Sequence, residues 1–314
     1  MDSNSKLPNE NNDSKIGVVL ISHGSSLPAS QNTFEEIKKE FQNQTNYHVE
    51  IGYMKVSKPS IPEAVNLLSS YGVEKIIAIP VFLAKGIHTN IDIPIMLGLN
   101  PKETDPRSPN GTYPENHYLN QVKPANFANI ILLDPFGPDE LILEIIESKI
   151  NAALSKIAID KSKVGIILVS HGSRLNYNKE FITDLFNLYS KNNDYNSTFA
   201  FMELTHPSIS ESINDLTSKI VIEHLIVVPV FIATGVHTTR DIPTILKLID
   251  IDKENNHTHD NDHTNSHSLK HSHSHDHTHS NEKIDFNGEI TYLDPIGADP
   301  ILIELIKRRV NNVL

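Results

Sequence analysis

Four histidines stand where a ligand could be gripped. His23 and His171 each directly follow a short apolar run, Ile16 to Ser22 and Val164 to Ser170. His88 and His237 follow a second run, after Gly86 and Gly235, residues that permit a turn. Neutral imidazole is a common ligand for divalent metals, and its near-neutral pKa lets it accept a proton. Any one of these histidines alone reads as a hydrogen-bonded loop residue. A pair recurring in two copies points instead to metal or proton handling. The chain has no Cys, so thiolate metal sites, thiol nucleophiles and disulfides are excluded, and metal chemistry must use imidazole and carboxylate.

Other groups stand near these four. Glu203 in the second copy corresponds to Lys55 in the first, so His171, Glu203 and His237 form a metal or proton-handling trio that the first copy lacks. Lys55 would attract a substrate carboxylate, or mark a weakened site. Gly24-Ser25 and Gly172-Ser173 read as turns into helices, with N–H groups able to receive an anion. Asp92 and Asp241, each two residues before a Pro, read as helix N-caps, and Asp134 and Asp294, in Asp-Pro-x-Gly, as turn residues. Nine of the 17 His crowd into one segment: His257, His259, His263, His267, His271, His273, His275, His277 and His279. Set among Ser, Thr, Asn and Asp, this run cannot build a core, and it offers overlapping imidazole sites for Co, Ni or Zn. It is internal and irregular, unlike a purification tag.

The elements that must position these residues come in duplicate. Ile16 to Ser25 (IGVVLISHGS) returns as Val164 to Ser173 (VGIILVSHGS). Ile79 to Pro94 aligns with Val228 to Pro243 at ten identical positions of sixteen. Tyr53 to Ile61 aligns with Phe201 to Ile209, and Leu133 to Gly137 with Leu293 to Gly297. Short apolar runs (Ile16 to Ser22, Val49 to Val56, Lys75 to Leu83, Asn129 to Leu133) alternate with helical spacing such as Leu141, Ile142, Ile145, Ile146, Ile150, with Pro138 at that helix's start. The expected fold is α/β: two tandem-duplicated, doubly wound domains, each with a four-stranded parallel sheet. The expected organisation is a disordered N-terminus (1–15), domain 1 (16–154) with a loop at 100–126, and domain 2 (164–314) with a His-rich loop at 252–283. In such sheets ligands bind at the carboxyl ends of strands, where the four histidines fall.

Composition narrows the partners. With 314 residues, the chain can build two sizeable cores. The formal net charge of -12 opposes binding to nucleic acid or an anionic membrane. No apolar run approaches a membrane span and the first 15 residues lack a hydrophobic signal core, so a cytoplasmic location is the expectation.

At its motifs the sequence resembles the class II tetrapyrrole chelatases, of the CbiX and SirB sirohydrochlorin chelatase type. The matching features are S-H-G-S at Ser22 to Ser25 and Ser170 to Ser173, F-x-E-x-x-x-P-S-I at Phe201 to Ile209, and P-V-F-x-A-x-G-x-H-x-x-x-D-I-P at Pro80 to Pro94 and Pro229 to Pro243. The last is specific, whereas H-G-S alone is weak. The resemblance covers nearly all of the chain outside residues 1–15 and the two insertions.

It implies ATP-independent insertion of a divalent metal into sirohydrochlorin, a ring bearing eight carboxylates. In that reading His23 and His171 bind metal and accept pyrrole protons, His88 and His237 also bind metal, and Glu203 serves substrate binding. Leu83, Ala84, Lys85, Gly86 and Ile87, with Ile232, Ala233, Thr234, Gly235 and Val236, line the tetrapyrrole. Lys55 departs from the pattern. Lys55, Lys85, Arg174 and Arg240 are candidates for the positive potential a polyanion needs. The expected activity is a sirohydrochlorin cobaltochelatase for cobalamin synthesis, with Fe2+ (siroheme) or Ni2+ as alternatives. No organic cofactor is implied, the metal being a co-substrate, and a monomer with a pseudo-dimeric cleft is expected. A His-rich metal storage or delivery protein is the reading from another class.

Overall fold

The apolar runs become parallel strands. The computed structural model describes residues 15–108, 110–249 and 283–314. In it β1 (Ile16–Ser22), β2 (His48–Tyr53), β3 (Lys75–Pro80) and β4 (Ile130–Leu132) form one sheet in the order β2-β1-β3-β4. A second sheet repeats that order as β6-β5-β7-β8, from β5 (Val164–Ser170), β6 (Asn196–Phe201), β7 (His224–Pro229) and β8 (Glu289–Tyr292). Every pairing is parallel. The central strands β1 and β5 are buried at all seven positions, as strands covered on both faces must be.

The helices are α1 (Pro28–Asn43), α2 (Ile61–Ser70), α3 (Ile93–Met96), α4 (Glu140–Leu154), α5 (Asn176–Asn192), α6 (Ile209–Lys219), α7 (Ile242–Ile245) and α8 (Pro300–Asn311). Helix α4 starts after Asp139, whose carboxylate accepts the Leu141 N–H, and α8 after Asp299, which does the same for Ile301. Pro138 thus precedes the cap instead of opening the helix. Pro300 in α8 takes the first helical position, where its missing N–H costs nothing.

The halves join through helices. α1, α4, α5 and α8 contribute Phe34, Ile37, Ile142, Ile146, Phe181, Leu185, Leu302 and Ile306 to one apolar cluster that also takes residues from both sheets. The outer faces carry separate clusters, one under α2 and α3 and one under α6 and α7. Arg308 bonds Asp139 at 2.7 Å, and Tyr47 bonds Asn311 at 3.1 Å, each across the halves.

Two sequence expectations change in form. Three runs overreach their strands: β2, β3 and β4 stop at Tyr53, Pro80 and Leu132, although Met54 and Val81 N–H still donate to the Ser22 and Ile21 carbonyls of β1 at 2.9 Å. Residues 100–126, read as a loop, form a strap with a 3-10 turn at Tyr118–Gln121 and with Leu119 and Ala125 buried. Its Glu103 accepts the Tyr177 hydroxyl of the second half at 2.6 Å. The His-rich segment lies outside the described residues. Among them no helix is long and apolar enough to cross a membrane.

Candidate active site

The first histidine of each pair is placed by a tight crossing of backbones. Lys55 N–H donates to the His23 carbonyl at 3.0 Å, and Glu203 N–H to that of His171 at 3.1 Å, so the acid and the lysine occupy equivalent positions. Gly24 (φ +88) and Gly172 (φ +94) follow, and a Cβ there would lie 1.9 Å from the Lys55 oxygen and 1.8 Å from that of Glu203. Only glycine fits. The turns are not anion cradles, because their N–H groups are taken. Ser25 N–H donates to Ser57 Oγ at 3.0 Å, Ser173 N–H to Thr205 Oγ1 at 3.1 Å, and Gly172 N–H to Asn178 Oδ1 at 3.0 Å.

The second histidine opens a single π-helical turn, His88–Asp92 or His237–Asp241, that runs into α3 or α7. Gly86 and Gly235 N–H each donate to a Thr hydroxyl, of Thr89 and Thr238, at 2.9 Å. The N-cap reading of Asp92 and Asp241 fails here. Both have helical backbone and neither side chain caps. Instead Asp92 Oδ2 lies 2.5 Å from His88 Nδ1 and Asp241 Oδ2 lies 2.8 Å from His237 Nδ1. The sequence signal was the i, i+4 spacing of His and Asp. Burial pushes Asp92 up, but hydrogen bonds from His88 and Arg107 overcome it and hold the carboxyl at about 2. Asp241 is likewise held below the usual range against burial, by Arg240 and His237.

These partners fix tautomers. An ionised carboxylate only accepts, so Nδ1 of His88 and His237 carries the proton and donates it. His23 and His171 place Nδ1 at 3.2 Å and 3.0 Å from the carbonyls of Gly24 and Gly172, with the same consequence. When neutral, each ring keeps its Nε2 lone pair for a ligand. Within each half the rings meet edge to face, centroids 5.1 Å apart for His23 and His88 and 4.8 Å for His171 and His237. Two imidazoles each bound through Nε2 to one ion at ~2.1 Å would have centroids roughly 5 Å apart.

Desolvation keeps the first histidines neutral. His23, open to solvent on part of its ring, is lowered to about 4 by burial, then by the neighbouring His88, Lys55 and, from the other half, His171. His171 is lowered by burial and His237, against Gly172, Glu203 and Asp241 acting the other way.

The halves differ beside this shared pair. In the second, Glu203 Oε1 lies 3.7 Å from His171 Nε2. In the first, Lys55 Nζ sits 4.0 Å over the Tyr118 ring, its pKa lowered by burial. The strap also sends Arg107 onto the buried carboxylate of Asp92 and, at 2.8 Å, onto Asp105. Sequence reasoning missed Arg107 and Tyr118, since the strap shows no periodicity. In the second half Arg240 meets Asp241 from the π turn itself, at 2.9 Å.

The remaining site candidates line the turns between β3 or β7 and the π turns. Leu83 and Ile232 carbonyls accept Gly137 and Gly297 N–H at 2.9 Å and 2.8 Å, so each Asp-Pro-x-Gly turn braces this segment from behind. Lys85 lies 3.6 Å from Asp134. Ala84, Gly86, Ile87, Ala233, Thr234, Gly235 and Val236 are all partly exposed. Among the described residues no group of three or more His, Asp or Glu side chains is arranged to hold a metal ion. Each half offers a pair of imidazoles, an incomplete set that would leave most of an ion's coordination to another molecule.

The CbiX family profile matches residues 17–153 and again 165–313. The chain belongs to the CbiX family. Among its CbiX-like relatives are proteins named sirohydrochlorin cobaltochelatase. The one from Methanothermobacter thermautotrophicus is 40% identical over 154 residues, 49% of this chain and 100% of its own length. That from Methanococcoides burtonii is 43% identical over 156 residues, 48% of this chain and 98% of its own. Two solved structures share the fold at 16% identity. SirB from Bacillus subtilis, with Fe3+, has a TM-score of 0.62 and 94% coverage of each chain. CbiX described as the terminal enzyme of siroheme biosynthesis in denitrifying bacteria has 0.56, over 95% of this chain and 99% of its own.

Proposed function

We propose that this chain is a sirohydrochlorin chelatase, with Co2+ as the metal it inserts. The observation that carries the reading is the pair His171 and His237, tautomers fixed and Nε2 free, beside Glu203. Insertion exchanges two pyrrole protons for one M2+, so the site must hold an ion loosely and take protons. Two imidazoles bind a divalent ion without enclosing it, which leaves positions for the ring nitrogens. As the ring takes the ion, the Nε2 lone pairs become free to accept protons, and the Glu203 carboxylate is the next acceptor. The two protons pass from there to solvent. His23 and His88 form a second pair without the acid, and Lys55 supplies positive charge to a substrate with eight carboxylates.

In this reading one chain supplies both halves of a site that a half-length relative would build from two copies. Cobalt is preferred because the relatives above are named cobaltochelatases. Imidazole donors by themselves leave selectivity to geometry and metal supply. The test is anaerobic insertion of Co2+, Fe2+ and Ni2+ into sirohydrochlorin, followed by absorbance. Fastest turnover with Co2+ is expected. Fastest turnover with Fe2+ would overturn the metal assignment, and no insertion of any metal would overturn the chelatase reading.

A further inference from the structure

Directly after Lys55 and Glu203 the chain makes the same uncommon turn in both halves. Val56 has φ +65 and Leu204 φ +62. Around each, the following N–H donates to the preceding carbonyl, Ser57 to Lys55 at 2.6 Å and Thr205 to Glu203 at 2.8 Å. These are γ-turns at positive φ, a strained conformation for any residue with a Cβ and most of all for a β-branched one. The surroundings impose it. Ser57 Oγ donates to the Ser25 carbonyl at 2.8 Å while accepting its N–H, and Thr205 Oγ1 donates to that of Ser173 at 2.7 Å while accepting likewise. Each turn is thereby clamped to the backbone segment that carries His23 or His171.

The side chains at the turn centres do little for the fold. Val56 is 73% exposed and Leu204 57% exposed. Glycine would adopt this backbone without strain, and a polar residue would suit the water. Both copies instead hold a large apolar side chain there, one residue from the group beside the first histidine. Strain of this kind, kept by the structure around it, marks functional positions.

We infer that Val56 and Leu204 are contacts for the apolar face of the macrocycle and determine its affinity. The inference rests on the chelatase reading. A metal enters a tetrapyrrole along the normal to its plane, so imidazoles that deliver it stand over one face of the ring. Exposed side chains on turns clamped to the segments that carry those imidazoles are placed to meet the same face, whose carbon surface is apolar inside a rim of carboxylates. Burying Val56 and Leu204 against it removes water from both surfaces.

The test uses Val56→Gly, Leu204→Gly and the double variant in the full chain. Glycine relieves the backbone and keeps every hydrogen bond of the turn. Binding of metal-free sirohydrochlorin, read by absorbance, is expected to weaken about tenfold for each single variant, or about 1.4 kcal/mol. KM for sirohydrochlorin should rise in parallel, KM for Co2+ stay unchanged, and the thermal midpoint hold or rise. Sirohydrochlorin affinity within twofold of wild type in the double variant would overturn the inference. If the glycine variants melt lower, Leu204→Asn, a smaller polar side chain at the same turn, must show the same affinity loss, and its failure to do so overturns the inference as well. Wild-type protein that binds no sirohydrochlorin removes the chelatase reading, and this inference with it. Wild type that binds while the variants bind equally well removes the inference alone.

Discussion

His88 and His237 owe their readiness to a carboxylate four residues on, which holds Nδ1–H and leaves Nε2 to a ligand. Of the four site histidines, His171 is the one whose Nε2 has an acid beside it among the described residues, Glu203 at 3.7 Å. His171→Ala or His237→Ala is therefore expected to lower kcat/KM for metal insertion roughly hundredfold, and His23→Ala or His88→Ala by less than about tenfold. Equal losses would mean two equivalent sites. His23 offers a second check. Its pKa is lowered from 6.5 to about 4, so between those pH values the folded protein holds it neutral while an unfolded chain protonates it. The stability it contributes is present above pH 6.5 and is lost as pH falls through the window down to about 4. An NMR titration of His23 in metal-free protein should give a midpoint near 4, and one near 6.5 would contradict the burial argument. The four histidines were legible because duplication repeats their spacing. The aspartates were not, because a Pro two residues on imitates an N-cap, whereas the π turn directs each carboxylate onto its histidine.

At the scale of elements, the site is made where strands run out. The chain after β2 or β6 folds back over the chain after β1 or β5, and Gly24 and Gly172 are the points of closest approach. Gly172→Ala forces a Cβ onto the Glu203 carbonyl at positive φ, and is expected to cost at least about 2 kcal/mol in urea denaturation and to displace Glu203. A loss under about 0.5 kcal/mol would show that the crossing has slack. Continuous apolar runs predicted all four strands of the first sheet and their parallel order of chain, since strands covered on both faces need apolar residues throughout. They overran the ends of β2 and β3 because Met54, Val56, Val81 and Leu83 are as apolar as the strand residues, although Met54, Val81 and Leu83 pack beyond the strand ends and Val56 is exposed. The strap had no pattern to read: Arg107 acts through one long side chain reaching Asp92, and composition rich in Pro and Asn says only that no helix or long strand forms.

At the scale of the whole molecule, the two copies share one apolar core. Helix α8 buries Leu302, Ile303, Leu305 and Ile306 completely, in a cluster that holds residues of both halves. Arg309 ties the halves at their polar margin, donating to the Pro135 carbonyl at 2.8 Å, to that of Asp134 at 3.2 Å and to that of Phe136. Arg309→Ala is expected to lower stability by about 2 kcal/mol with a single unfolding transition retained. An unchanged midpoint would leave the joint to apolar packing alone. The repeat itself was plain in the sequence, but the shared helical layer was not, because an amphipathic helix reveals that it has a buried face without revealing which half covers it. The charge of -12 bears on the whole as well, since a polyanionic substrate must find Lys55 and its neighbours against the general field of the protein.

The account turns on imidazole pairs that pass a metal to a tetrapyrrole. Its most direct test is anaerobic absorbance of sirohydrochlorin with Co2+, run with wild-type protein and with the His171→Ala/His237→Ala double variant at equal folded concentration. Conversion by wild type with a loss of at least about hundredfold in the double variant is the predicted result. Conversion at the uncatalysed rate by wild type, or full activity in the double variant, would contradict it.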